Sequence, residues 1–441
     1  MATNTPKSYR NLVIYEIYVR NHGPQGTFAD VEADLERIQA LGVDVIWFMP
    51  IHPIGKIARK GTLGSPYSIA DYRAVNPEYG TRADFKRLID RAHELGLRVM
   101  IDAVFNHTAH DSVLVEEHPD WFHQDESGKP VTTVPVWSDV IDLEHPNPAL
   151  VEYFVETVRG WVEFGVDGFR CDVASLLPLE FWLRARKAAA EVKPDVIWLA
   201  ESVHAAFVAE RRAAGLSTLS DSEVYRAFDL TYVYDIWPIW EAAVKGVVPV
   251  SRYLEMVRFQ DCIYPENYVK LRYVENHDQP RIMDRASTRD QALAWTAFEA
   301  FNKGAFLIYA GQESGATHRP SLFEIDKIEW GDYELAPFLM RLAMLKKHPA
   351  LVDGQFTILE SDPAIQAAWQ QPVESLYGIF NVSGGEGEVD VQLPDGTYED
   401  LLHATEIKVR GGRIALPESA VILYYTEDVA LEQIYLPLLD Y

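Results

Sequence analysis

Short apolar runs and amphipathic stretches of helical period alternate along the chain from about residue 10 to about residue 345. Val13–Arg20, β-branched and aromatic, predicts a first strand. Over Ala29–Leu41, the spacing of Val31, Leu35, Ile38 and Leu41 places one apolar stripe on a helix. Gly42 then ends it, and Val43–Pro50 reads as a buried strand. Thr81 followed three residues later by Asp84 signals a helix start, and Phe85, Leu88, Ile89, Ala92 and Leu95 form its apolar face. Gly96 stops that helix before a third strand, Leu97–Ile101. The unit recurs as Leu150–Phe164, Gly165 and Val166–Val173. Glycine fits these three junctions because the residue after a helix commonly adopts positive φ. Four more strands are expected at Val196–Ala200, Phe228–Val233, Lys270–Val274 and Ala305–Tyr309.

Eight strands with helices between them predict an α/β fold, a closed (β/α)8 TIM barrel over residues 1–345. An open doubly wound sheet is the alternative, but no Gly-rich phosphate turn follows the first strand. Residues 107–148 carry little periodicity and read as a loop subdomain after strand three. Beyond residue 345 come short half-exposed strands (Phe356–Glu360, Ala364–Gln370, Ser375–Val382, Glu388–Leu393, Val421–Tyr425) split by Gly-Gly and Asp-Gly turns. They predict a C-terminal antiparallel β domain over 346–427. The tail 428–441, with its apolar Ile434–Leu439, is expected to pack on the body or to serve as a homo-oligomer contact.

The 441 residues, 48% hydrophobic and 24% charged, have room for one large domain and a smaller one. Lys+Arg 40 against Asp+Glu 66 gives a net charge of −26, which disfavours nucleic acid and anionic membrane as partners. Cys171 and Cys262 are too few for a disulfide framework. With no apolar signal core at the start and no run of 18 apolar residues, the expectation is a cytoplasmic protein.

Chemistry gathers at the carboxyl ends of the strands, where such barrels place their sites. Asp102 closes strand three, Asp172 strand four and Glu201 strand five, and Asp278 follows strand seven. Arg170 and Asp172, two apart on a strand, point to one side, so the guanidinium is expected to lower the Asp172 pKa. Glu201 follows the dry run Val-Ile-Trp-Leu-Ala, where desolvation should keep it protonated. An ionised and a protonated carboxyl face to face are the tools of a retaining glycosidase. Asp278 would hold sugar hydroxyls, with Asn106-His107 and Asn276-His277 as neutral donors.

As a set, Asp102-Ala-Val-Phe-Asn-His107, Gly168-Phe-Arg-Cys-Asp172, the stretch centred on Glu201, and Asn276-His277-Asp278 resemble the signature motifs of the α-amylase family of glycoside hydrolases. The resemblance covers roughly residues 10–425 and implies α-glucosidic substrates, malto-oligosaccharides or related α-glucans. It implies Asp172 as nucleophile, Glu201 as general acid/base and Asp278 as transition-state stabiliser. It groups Tyr67, Asp102, His107, Arg170, His277 and Arg281 as substrate-binding residues, with Tyr67 stacking beneath a glucosyl ring. Transglycosylation by the same residues is an alternative, as is a catalytically dead binding subunit, although the latter would be expected to lack part of the trio.

The family often has Lys-His shortly after the nucleophile, with the His backbone helping to hold calcium. Here the run is Val-Ala-Ser-Leu-Leu, so no cofactor is expected and no metal site is assigned, with calcium left as a possibility through Asn106. A zinc site built from His107, His110, His118 and His123 is the competing metal reading. Asp278-Gln-Pro-Arg281 resembles the version found in α-glucosidase-like members, a resemblance that points towards short oligosaccharides and exo-action.

Overall fold

The computed structural model describes residues 4–426 and 429–432, so the apolar segment Ile434–Leu439 lies outside the described residues. Eight parallel strands close on themselves: β1 (Val13–Ile17), β2 (Val45–Phe48), β3 (Arg98–Ala103), β4 (Gly168–Cys171), β5 (Ile197–Ala200), β6 (Leu230–Thr231), β7 (Val269–Arg272) and β8 (Ala305–Tyr309). Each pairs with its neighbours in chain order, and β1 against β8 completes the ring with Val13 opposite Phe306. The strands are almost wholly buried because helices cover them outside and side chains fill them inside, so their sequences read as apolar runs.

The helix ends are where local sequence dictates the turn. Thr81 accepts from the Asp84 N–H at 3.2 Å while Asp84 accepts from the Thr81 N–H at 2.8 Å, a reciprocal cap on the helix Arg82–Glu94. Gly42, Gly96 and Gly165 adopt φ of 86°, 76° and 118° before strands two, three and four. The first strand is shorter than expected. It stops at Ile17, and Val19–His22 turns into a helix. Within that helix the Arg20 guanidinium donates to the carbonyls of Gly64 and Leu322, both at 3.2 Å.

Residues 107–148 fold back as a small hairpin, His107–Ala109 against Val140–Asp142, with a short helix at Val113–Glu117. The C-terminal module is a six-stranded antiparallel sheet in the order Gln355–Glu360, Ile365–Gln370, Ser375–Phe380, Ala420–Tyr425, Gly396–Asp400, Thr405–Val409. A two-stranded ladder, Glu388–Asp390 with Arg413–Ala415, lies beside it. Gly396–Asp400 and Thr405–Val409 escaped the sequence pattern because they are mostly exposed and polar. The module is fastened to the barrel by Trp369, whose indole N–H donates to the Phe301 carbonyl at 2.7 Å, and by Phe380 packing on Phe298 and Phe301.

Two glycines separate conformational from steric demand. At Gly96 a Cβ would meet nothing within 4 Å, so Gly96→Ala should cost only the left-handed backbone penalty, about 1–2 kcal/mol. At Gly304 (φ +147°) a Cβ would lie 2.2 Å from the Lys270 carbonyl oxygen. Urea unfolding should therefore show Gly304→Ala losing more than about 3 kcal/mol.

Candidate active site

Strands β3, β4, β5 and β7 deliver their carboxyl ends to one rim. Asp102 lies on β3 in register with Arg170 on β4, and Asp172 and Glu201 are the first residues beyond β4 and β5. Asp172, Glu201, Asp278, His107, His277 and Tyr67 all line one cleft of about 240 Å³, together with Lys60, Trp137, Asp139 and Phe323. A slightly larger hollow of about 270 Å³, lined by Val208, Asp221, Phe259 and Tyr264 among others, contains none of the motif residues. Chemistry, not size, picks the site.

The floor of the cleft is the Arg170 guanidinium, which has no solvent exposure. Its Nη1 reaches Asp102 Oδ1 at 2.9 Å and Asp172 Oδ1 at 3.0 Å, and its Nη2 lies 3.0 Å from Glu201 Oε2. Nε donates to the Tyr232 hydroxyl at 3.3 Å, and the rings of Trp47, Tyr232 and Tyr67 surround the cation at 5.3–5.6 Å. Glu201 Oε2 also accepts the Val173 N–H at 2.8 Å.

A second chain of contacts runs across the opposite wall. His277 is clasped between Glu16, which meets Nδ1, and Asp278, whose Oδ2 lies 3.2 Å from Nε2. The Tyr67 hydroxyl lies 2.8 Å from His277 Nε2 and donates to Asp102 at 3.1 Å, and its ring stacks on the imidazole at 5.5 Å. Burial opposes charge on His277, but Asp278 and Glu16 override it and hold its pKa well above the ordinary histidine range. That direction favours the protonated ring, where the sequence suggested a neutral donor. His107 is the neutral one, its pKa pushed down by burial, with Nε2 at 3.8 Å from Asp172 Oδ2.

The carboxyls separate by environment. Desolvation lifts Glu201 to about 7, with Arg170 opposing and Asp172 and Asp278 adding to the rise. Asp172 was expected to fall below the usual range, but it rises to about 6. Burial outweighs the Arg170 charge, and the neighbouring Asp102 pushes the same way. Asp278 sits at about 2: its burial acts upward but is overcome first by His277 and then by Arg170. Asp172 and Glu201 are thus both raised above the ordinary carboxylate range, while Asp278 is lowered.

Several expected contacts move out of the cleft. Arg281 is fully buried, donating to Glu275 Oε1 at 2.7 Å and to the Ala310 carbonyl at 2.7 Å, with the Tyr309 ring against its guanidinium at 4.1 Å. It clamps the β7 and β8 loops together and does not face a ligand. Asn276 turns its amide oxygen to the N–H groups of Asp278 and Gln279, both at 2.9 Å, which shapes the turn presenting Asp278. Asn106 turns its Nδ2 to His107 Nδ1 at 3.3 Å. Asp102 lies beneath the cleft and orients Arg170 and Tyr67.

Sequence reasoning missed Glu16, Tyr232, Lys60, Trp137 and Asp139. Glu16 left a signal, a lone charge within the apolar strand Val-Ile-Tyr-Glu-Ile, whereas Lys60 and Trp137 arrive on irregular loops that have no period to read. Among the described residues no three His, Cys, Asp or Glu side chains converge on a metal-sized point. His110 bonds the Ser138 carbonyl, His118 stacks on Trp121 and His123 meets Glu144, so the zinc reading has no geometry.

A family model described as the α-amylase catalytic domain matches residues 6–133 and 136–355, and one described as the bacterial α-amylase C-terminal domain matches 355–423. The chain belongs to the α-amylase family. Among solved structures it resembles an α-amylase from Lactobacillus plantarum at 43% identity and TM-score 0.91, covering 95% of this chain and all of that one. It also resembles a noncanonic maltogenic α-amylase from Thermotoga neapolitana at 34% identity and TM-score 0.85, with 95% of this chain and all of that one covered. An α-amylase of Haloarcula japonica is 26% identical over 89% of this chain, which spans only 58% of that relative's length.

Removing the Arg281 cation strands Glu275 in the interior. Arg281→Leu should lower stability by roughly 3–5 kcal/mol in urea unfolding while leaving KM of the folded protein unchanged.

Proposed function

We propose that this protein is a retaining glycoside hydrolase acting on the α-glucosidic bonds of malto-oligosaccharides or related α-glucans. The observation that carries the reading is the pair Asp172 and Glu201, held on neighbouring nitrogens of the buried Arg170 and opening into one cleft. Two carboxyls gripped by one guanidinium favour the short spacing on which direct attack depends, rather than the roughly 6.5–9.5 Å that leaves room for an intervening water.

In the first step the Glu201 carboxylic acid gives its proton to the glycosidic oxygen. The Asp172 carboxylate attacks the anomeric carbon, the C–O bond to the leaving sugar breaks, and a glycosyl ester forms. Water then attacks that carbon, Glu201 takes the water proton, and the ester bond to Asp172 breaks with the α configuration retained. A sugar hydroxyl in place of water would give transfer, visible as products longer than the substrate. Asp278, anionic at any working pH, and the Asp172 carboxylate face the positive charge that develops on the sugar ring. No step is routed through a metal.

A cytoplasmic location is part of this proposal. Cys171 and Cys262 are unpaired and the latter is exposed, which suits a reducing compartment. Among the described residues no helix is long and apolar enough to cross a membrane.

Four outcomes test this reading. Glu201→Gln should lower kcat on maltoheptaose roughly 10²–10⁴-fold with the fold intact by circular dichroism. Asp172→Asn should abolish turnover, and near-normal activity in that variant would refute the assignment. The dependence of kcat/KM on pH should be bell-shaped, rising as Asp172 ionises through about 6 and falling as Glu201 loses its proton through about 7. Activity should survive prolonged chelation. Loss that Ca²⁺ restores would overturn the no-cofactor reading.

A further inference from the structure

The side chains around Lys60 do more than line the cleft. The loop that follows β2 runs irregularly until the cap at Thr81 and carries both Lys60 and Tyr67. Lys60 Nζ reaches Asp139 Oδ1 at 2.8 Å and the Val136 carbonyl at 2.9 Å, so it ties this loop to the one that follows β3. On its other side the loop is tied to the segment beyond β8. The Thr62 N–H donates to Glu324 Oε1 at 2.8 Å and the Leu63 N–H to the Phe323 carbonyl at 3.0 Å. Gly61 (φ +63°) is required at that seam, since a Cβ there would lie 2.6 Å from Phe323 Cβ. Internally, Arg59 donates to the Gly55 carbonyl at 3.0 Å and the Thr62 carbonyl at 3.2 Å, which stiffens the tip. Three loops are thereby laced into one continuous wall.

Topology says which side of the reacting bond that wall occupies. Glu201, on β5, delivers a proton to the leaving group and therefore marks the aglycone side. In the ring β1-β8-β7-β6-β5-β4-β3-β2, the strand facing β5 is β1, flanked by β2 and β8. Lys60 comes from the β2 loop and Leu322 and Phe323 from the segment after β8, so the wall stands on the glycone side. The cleft it borders holds about 240 Å³ and is lined on that side by Lys60, Leu322 and Phe323.

We infer that Lys60 latches this wall and thereby sets specificity. The cleft ends on the glycone side, and the enzyme works from the non-reducing ends of short α-glucans. This rests on the function proposed above, because the side assignment uses Glu201 as the acid. Lys60 is a specificity-determining residue, separate from the bond-breaking pair.

The test compares an aryl maltoheptaoside with the same compound blocked by an acetal on its non-reducing terminal hydroxyls. Wild type should cleave the blocked compound at least about 50-fold less efficiently in kcat/KM, measured as the ratio within one enzyme preparation. Lys60→Ala, and more so Lys60→Ala combined with Glu324→Ala, should raise the blocked-to-free ratio at least about tenfold. Lys60→Arg, which can still reach Asp139, should keep the wild-type ratio. Equal cleavage of both compounds by wild type would overturn the inference. So would an unchanged ratio in the double variant once thermal unfolding shows it folded. Calorimetric binding of the two compounds to Glu201→Gln separates this from failure of the proposed chemistry. Free but not blocked compound should bind, whatever the turnover, and equal binding would overturn the wall.

Discussion

A guanidinium with no access to solvent, ringed by Asp102, Asp172 and Glu201, is the interaction on which the rest of this site depends. Taking that many charges out of water is costly, and their mutual attraction repays it only where geometry is close and every group is bonded. Arg170 meets the first of those terms, with contacts of 2.9–3.1 Å to Asp102 and 3.0 Å to Asp172 and Glu201, while its Nη2 faces Glu201 as an ion pair without a hydrogen bond. Because it contacts all three at once, it does not simply favour ionisation of one. Burial and mutual repulsion leave Asp172 and Glu201 at about 6 and about 7, close enough for a proton inventory of one to be shared between roles. The second cation, His277, takes the opposite part: lodged between Glu16 and Asp278, it keeps Asp278 ionised at about 2.

The barrel was legible because its strands are buried on both faces and three of its helices close on Gly42, Gly96 and Gly165, so period and punctuation agree over its first half. Strand ends were not. Phe228–Val233 shrinks to Leu230–Thr231, since ladder pairing rather than apolar character decides where a strand stops. The polar strands Gly396–Asp400 and Thr405–Val409 were invisible for the opposite reason: at the exposed side of the C-terminal sheet they bury too little to print a pattern.

For the site, the motif residues gathered by strand ends were readable, because an acid at the end of an apolar strand stands out. The environment of each was harder to read. Sequence distance shows Arg170 beside Asp172 but does not weigh burial against charge, so the direction of the Asp172 shift was misjudged. Arg281 shows the same limit. It shares a motif with Asp278, yet its guanidinium turns inward to Glu275 and backbone carbonyls. The loop residues Lys60 and Trp137 had no period at all, and only three-dimensional closure brings them to the mouth.

The Glu16–His277 contact joins the first strand of the ring to the turn after the seventh, and the ring itself shuts only when β8 settles against β1. A nascent chain emerging from the ribosome therefore holds Glu16 without this counter-ion until 261 further residues have followed it. The imidazolium finds its partner among the last events of assembly. Catalytic competence should accordingly appear late and all at once, which makes turnover a sensitive reporter of whether the whole cylinder has closed.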